Sequence, residues 1–416
     1  MKTGKYKGSR RPRLSLFILK KGVPFHLMKK SPVERKKGID YILIAAVAAL
    51  LVFGLITLLQ VLSDSFDGTE NTFEAVWERL NLSFFNRQLG NIFLSLAVAV
   101  PVAMLDYEKY KPFLKAAYAL NVLLLLVLLV AGKTTRGILG WYTLGSGSSA
   151  RGFQPSEICK ITLILILSKV GAQAYDTHGK LRFVDVCKLF GLFAAPFALV
   201  LMQPDFGTAM VMLVVFVCIV FSLRIHFVYI LGGAAGAGIS LPLVYRFLLN
   251  RDQKARIRVF LDPSLDPAGD GYNVLHAKEL IGSGGLWGKG YFAPGTLTQR
   301  GYVPERHTDF IFSGIVEGLG FMGGLGVVLL YGVVLWRFLA AARRARDTFG
   351  RCLCIGCAGM LACHVFENIG MNLGLMPVTG IPLPFISYGG SNMLASMLTV
   401  AIVLSVRYRT FHRGQI

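Results

Sequence analysis

The chain of 416 residues is 54% hydrophobic and only 16% charged, with a mean hydropathy of +0.56. Soluble proteins of this size carry about a quarter charged residues, so a water-soluble globule is excluded. The formal charge of +21 falls in a basic tail and in short segments between apolar runs, without an aromatic-interleaved basic groove, so nucleic acid is not an expected partner.

About a dozen Lys and Arg lie in residues 1–38, which read as a cytoplasmic tail touching anionic lipid. Leu14 to Leu19 is too short an apolar core for a cleavable signal peptide. A helical crossing needs roughly 20 apolar residues. Ten such cores follow, at 40–63, 88–105, 113–131, 155–172, 187–203, 207–223, 227–248, 310–336, 352–375 and 390–407. Runs of this length suit helices rather than alternating barrel strands. The expected fold is therefore an all-α polytopic membrane domain over 39–408. A large extracytoplasmic loop, 249–309, separates the seventh and eighth helices, and 409–416 form a second cytoplasmic end. The segments Tyr107–Lys111, Tyr175–Lys188, Arg224–His226 and Arg343–Arg351 each carry Lys or Arg, so they are expected on the cytoplasmic side of the membrane together with both termini.

Four polar stretches break the apolar pattern. In Gln154-Pro155-Ser156-Glu157-Ile158-Cys159-Lys160, Pro155 fits a first helical turn. Glu157 and Lys160 share a helix face three residues apart, either as a neutralised pair or as the wall of a cavity. Gln203-Pro204-Asp205-Phe206-Gly207-Thr208 interrupts two apolar runs, with Asp205 either capping the next helix or lining a cavity. The long loop holds two Asp-Pro pairs, Asp262-Pro263 and Asp266-Pro267, which spacing alone reads as turns. Its Gly282–Gly290 stretch fails the phosphate-loop pattern. Pro304-Glu305-Arg306-His307-Thr308-Asp309 precedes the eighth span, where Thr308 or Asp309 is the expected N-cap. Lastly, Pro377, Pro382 and Pro384 forbid a regular helix before Ser387-Tyr388-Gly389-Gly390.

Cys354, Cys357, Cys363 and His364 have the composition of a zinc cluster. They fall inside a span with no loop to fold around an ion, so they are expected to act as small apolar residues. No disulfide framework is implied. The residues alone describe a ten-span protein with an outward polar cavity under a long loop, which fits a transporter as well as a lipid-processing enzyme.

The motifs QPSEICK (154–160), QPDFGTAM (203–210), GYNVLHAKELIGSGGLWGKG (271–290), PERHTDFIF (304–312) and MPVTGIPLPFISYGGS (376–391), in this order, resemble the SEDS family of cell-wall polymerases, the RodA/FtsW/SpoVE group. The likeness runs from about residue 40 to 408, and GTLTQRGYVPERHTDFIF is nearer the RodA, or elongation, branch than the division-specific FtsW branch. It implies a peptidoglycan glycosyltransferase that uses lipid II and a glycan on polyprenyl pyrophosphate, working beside a class B penicillin-binding protein and the elongation machinery. The family's essential acid maps onto Asp266, with Asp262 as second choice. Its cavity and substrate residues map onto Trp141, Arg136, Glu157, Lys160 and Asp205, and the remaining motifs add Lys278, Glu305, Arg306, His307 and Ser387. Asp266 would serve as general base toward a sugar hydroxyl, an effect worth roughly 10²–10⁴-fold. Lys160, Arg136, Arg306 or a divalent cation (Mg or Mn, on Asp266 or Asp205) would stabilise the leaving pyrophosphate. A flippase for lipid-linked precursor, which should tolerate loss of Asp266, is the competing reading, and a non-catalytic scaffold is the third.

Overall fold

The computed structural model describes residues 39–63, 80–131, 133–135, 138–144, 151–225, 251–266, 269–301 and 303–412, with scattered positions between 228 and 247. The basic tail and most of the predicted seventh span lie outside the described residues. The helices are α1 (Tyr41–Leu62), α2 (Leu82–Met104), α3 (Leu114–Ala131), α4 (Pro155–His178), α5 (Phe183–Met202), α6 (Phe206–Ser222), α7 (Arg251–Leu261), α8 (Asp270–Gly284), α9 (Ile311–Arg344), α10 (Thr348–Asn372) and α11 (Gly390–His412). Eight are long and apolar enough to cross a bilayer, with α6 a shorter apolar helix. Nine of the ten predicted spans thus have a described helix.

Several ends move outward from the predicted cores. The α9 helix continues to Arg344 and α11 to His412, past the predicted limits of 336 and 407, and Arg337 and Arg407 are charge-paired rather than solvated. Asp40 caps α1, accepting from the Leu43 N–H at 3.2 Å. Its carboxylate also receives Arg337 Nε at 3.0 Å to each oxygen and Arg407 Nη1 at 2.6 Å. One buried carboxylate therefore joins the ends of α1, α9 and α11.

The inner helices α4, α10 and α11 are buried over most of their length, whereas α2 and α3 present most of theirs outward. Small residues let the inner helices approach closely. A Cβ on Gly356 would lie 2.9 Å from Ile164 and 3.0 Å from Ile219, and one on Gly359 would lie 2.8 Å from Cys218 Sγ. Cys352, Cys354, Cys357 and Cys363 are buried free thiols on α10, and Cys352 Sγ lies 3.3 Å from the Ser222 hydroxyl of α6. Among the described residues no group of three or more His, Cys, Asp or Glu could hold a metal ion.

Two features depart from an all-helical reading. Residues 133–135, 138–144 and 151–153 pair as a three-stranded antiparallel sheet, β1 (Lys133–Thr135), β2 (Ile138–Leu144) and β3 (Arg151–Phe153), in the order β1-β2-β3. The segment 249–309 carries α7, a short 3-10 turn at Pro263–Leu265 and α8 before a run of turns.

Removing the shared carboxylate would leave two buried guanidiniums facing one another. Asp40→Ala is expected to cost about 3–5 kcal/mol, read as a lowered unfolding midpoint of the detergent-solubilised protein. Arg407→Ala, which leaves Asp40 paired with Arg337, should cost less.

Candidate active site

The two Asp-Pro acids are built differently. Asp262 caps the 3-10 turn, accepting from the Ser264 N–H at 3.1 Å and the Ser264 hydroxyl at 2.6 Å. Those bonds to the charged form hold its carboxyl below the usual range. One of its two oxygens, Oδ1, is thus engaged by its own turn. Asp266 ends that turn, and its carbonyl accepts from Tyr272 N–H at 3.2 Å in the first turn of α8. A Cβ on Gly269 would collide with the Asp266 carboxylate, and one on Gly271 with the Pro263 and Asp266 carbonyls. The two glycines thus let the Asp266 loop fold flat against the start of α8. A cleft lined by Arg256, Phe260, Pro263, Val274, Met376 and Val378 opens beside this turn.

The other end of α8 is fixed by a residue that the sequence reading passed over. Glu317 is fully buried and lies three residues before a break in α9 at Gly320, whose φ is 69°. Its carboxylate receives Lys289 Nζ at 3.1 Å, Leu297 N–H at 2.7 Å, Thr298 N–H at 2.9 Å and the Thr298 hydroxyl. Around it the backbone joins in pairs, Lys289 and Gly290 N–H to the Glu317 and Gly318 carbonyls at 2.9 Å each. The N–H groups of Phe321 and Met322 reach back to Gly285 and Leu286 at 2.9 and 3.2 Å. The stretch that fails as a phosphate loop is therefore a docking turn. Tyr291 inserts toward α1, its hydroxyl 2.9 Å from that of Thr57, and burial pushes its phenol up to about 12.

The proline-rich segment before α11 is clamped by side-chain amides from α10. Asn368 Nδ2 donates to the Asp309 and Ile381 carbonyls, both at 2.8 Å, and Asn372 Nδ2 to Asp309 at 3.0 Å. The expected Thr308 or Asp309 cap is corrected here. The N-cap of α9 is Phe310 and has no side-chain cap, because the Asp309 backbone is held by this amide clamp and Thr308 turns back to Glu305. Ser387 is buried and spent in the same lattice, donating to Thr308 O at 2.6 Å and accepting from Leu383 N–H at 2.8 Å. His307, Phe84 and Tyr388 form an aromatic triangle with centroids 5.2–5.9 Å apart. Arg306 Nε donates to Val61 O at 2.7 Å.

Deeper in the bundle lies a second polar group. Glu157 and Lys160 pair at 2.8 Å, both buried, as their spacing predicts. Lys160 Nζ also lies 2.9 Å from His364 Nε2 on α10. An ammonium only donates, so His364 accepts at Nε2 and a neutral ring carries its proton on Nδ1. Asp205 caps α6 through Thr208 N–H at 3.0 Å and accepts from Gln154 Nε2 at 3.3 Å, performing the capping role while facing the Glu157 motif. Glu367 accepts from Cys363 Sγ at 3.2 Å. Among the described residues, Glu157 Oε2, Ser156 Oγ and His364 Nδ1 are buried without a hydrogen-bond partner. Buried polar atoms are nearly always bonded, so this cluster has the capacity to bind a polar ligand. His364 was read only as a would-be metal ligand and Glu367 not at all, although a Glu one helical turn after Cys363 was the available signal.

Trp141 lies on β2 with its ring over Gly152, where an added Cβ would be 2.8 Å from the indole. Lys278 runs alongside Gly374 on the far side of α8. Arg136 lies outside the described residues.

A many-span helical membrane protein with a charged interior, closed at one end by an anchored loop, is the class that these features define. The chain belongs to the FtsW/RodA/SpoVE family of cell cycle proteins, whose model matches residues 41–412. It is 35% identical over 330 residues to the peptidoglycan glycosyltransferase MrdB of Escherichia coli K12, covering 78% of this chain and 86% of that protein. It is 33% identical over 390 residues to the stage V sporulation protein E of Bacillus subtilis, covering 91% and 99%. Among solved structures, RodA of Thermus thermophilus matches with a TM-score of 0.64 at 28% identity, covering 90% of this chain and 98% of that one. A peptidoglycan synthase complex that coordinates polymerization and crosslinking matches with a TM-score of 0.72 at 29% identity, covering 90% and 99%.

Glu317→Ala would strand Lys289 and the Leu297 and Thr298 amides. The variant is expected to keep its helical content while amide exchange across 285–301 speeds by at least an order of magnitude, measured by hydrogen–deuterium exchange.

Proposed function

We propose that this chain polymerises lipid II into glycan strands in the manner of the elongation branch of its family, with Asp266 as the catalytic carboxylate. The observation that carries the assignment of the acid is the contrast within one turn. Asp262 caps the turn through its Oδ1, which accepts from the Ser264 N–H and hydroxyl, whereas Asp266 sits at the exit of that turn, its carboxylate packed on Gly269 just before α8.

A sugar hydroxyl is a poor nucleophile at neutral pH. Asp266 would accept its proton as the oxygen attacks the anomeric carbon of the donor glycan, while the bond to the polyprenyl pyrophosphate breaks and that group leaves with the electron pair. Lys160, buried between Glu157 and His364, is a ready counter-charge for a phosphate within the bundle, and Arg306 is the candidate at the rim. Magnesium sites commonly use one or two carboxylates and complete their shell with substrate phosphates and water. Asp266 fits only that partial role, so no step is assigned to an ion.

Charge supports an orientation. Arg337, Arg346, Arg407 and Arg409 pair with Asp40, Glu108 and Asp106, and a basic end is expected to face the cytoplasm. On that reading the Asp266 loop lies outside, and lipid-linked sugars would be polymerised there. The likeness to a synthase complex that couples polymerization to crosslinking supports a class B penicillin-binding protein as partner.

Purified protein given lipid II should form long glycan. Asp266→Asn should lower the rate at least 10²-fold while remaining monodisperse. Asp262→Asn should stay within a few-fold of wild type, since Asn caps as well as Asp. Equal polymerisation by all three would remove Asp266 from the mechanism. Silence from wild type with a cognate transpeptidase supplied would favour lipid transport.

A further inference from the structure

The docking turn beside Glu317 ends in two large apolar side chains that touch little of the protein. Trp287 is 75% exposed and Leu286 58%. Neither belongs to the acids, the clamp or the inner ion pairs. They are nevertheless held rigidly, because the Gly285 and Leu286 carbonyls accept from Phe321 and Met322 N–H and the Lys289 N–H is bonded to Glu317 O. The turn also lies close enough to α9 that a Cβ on Gly288 would strike the Gly318 carbonyl and one on Gly320 the Leu286 backbone. An exposed indole on a fixed loop signals an interaction surface.

Depth along α9 identifies what covers it. Arg337 marks one membrane edge through its pair with Asp40 at the start of α1. An α-helix rises about 1.5 Å per residue and the hydrocarbon core is about 30 Å thick, so the opposite edge falls about at the Gly320 break in α9. Phe321 and Met322, 57% and 44% exposed, sit roughly 22–24 Å from Arg337 by the same rise, just inside that edge. They begin a stripe of outward-facing apolar residues that continues through Leu325, Val328 and Leu329 to Trp336. The docking turn is bonded to the first two members of that stripe. Its Leu286–Trp287 tip therefore lies at the outer boundary between hydrocarbon and headgroups, the level at which Trp is enriched in membrane proteins.

We propose that Leu286 and Trp287 form a lipid-facing anchor, seated in the outer leaflet, that ties the turn after α8 to the membrane surface. The lipid chains continue the same contact that covers α9, and the Trp287 N–H is free to meet the headgroup region. The proposal depends on α9 crossing the bilayer and not on the identity of the reaction.

The test is tryptophan fluorescence in vesicles of brominated phosphatidylcholine against unbrominated phosphatidylcholine, comparing wild type with Trp287→Phe. The chain has four Trp, so the difference between the two proteins isolates Trp287. The expected result is a difference spectrum quenched severalfold by bromolipid and little by aqueous iodide. Quenching by iodide instead would overturn the proposal, as would shielding that arises only when a class B penicillin-binding protein is added, which would assign the tip to a protein partner. Leu286→Cys carrying a nitroxide, in a Cys187→Ser background, gives a second reading that retains Trp287. Greater accessibility to oxygen than to a water-soluble nickel chelate supports the anchor, and the reverse ratio rejects it.

Discussion

A carboxylate with no exposed surface holds the 285–301 loop to α9. Glu317 sits inside α9, one turn from its break, and gathers a lysine, two backbone amides and a hydroxyl from a loop that ordinary turn propensity would leave loose. Desolvating a carboxylate is costly, and only a nearly complete set of donors offsets that cost. The loop is therefore specified by a charge rather than by an apolar core, and the small cluster of Ala277, Leu280, Val303, Phe310 and Met371 fills in beneath it. Because α8 carries Asp266 at one end and reaches the Glu317 region at the other, the position of the acid is inherited from the position of the anchor.

The same economy governs the bundle interior. Lys160 is compensated by Glu157 one turn away and by His364 from another helix, and Asn368 and Asn372 satisfy carbonyls of two loops at once. In lipid an unbonded backbone group has no water to turn to, so irregular chain such as 373–389 survives only where side-chain amides reach it. The loop MPVTGIPLPFISYGGS is rigid for that reason as much as for its prolines.

Much of this was legible in the sequence because the signals were local. Apolar run length gave nine of the described helices, the three-residue spacing of Glu157 and Lys160 gave their pair, and Asp205 before Phe206 gave a cap. What escaped depends on distant partners. Nothing near Glu317 announces that Leu297 and Thr298 will return to it, and Phe310 displaces the expected cap only because α10 seizes the Asp309 carbonyl. His364 looked like a metal ligand by composition, whereas its neighbour in space is a lysine 204 positions away. The sheet of β1, β2 and β3 was hidden by short strands and glycine.

The Asp40 junction has a consequence for how the bundle responds to substitution. Its two guanidinium partners lie in α9 and α11, the first of them 297 residues downstream. The opening turn of α1 is therefore held by groups that stand far from it in the chain. A substitution at Arg337 or Arg407 acts on a helix it does not border in sequence, so the margins of α1, α9 and α11 respond to damage as one unit rather than helix by helix.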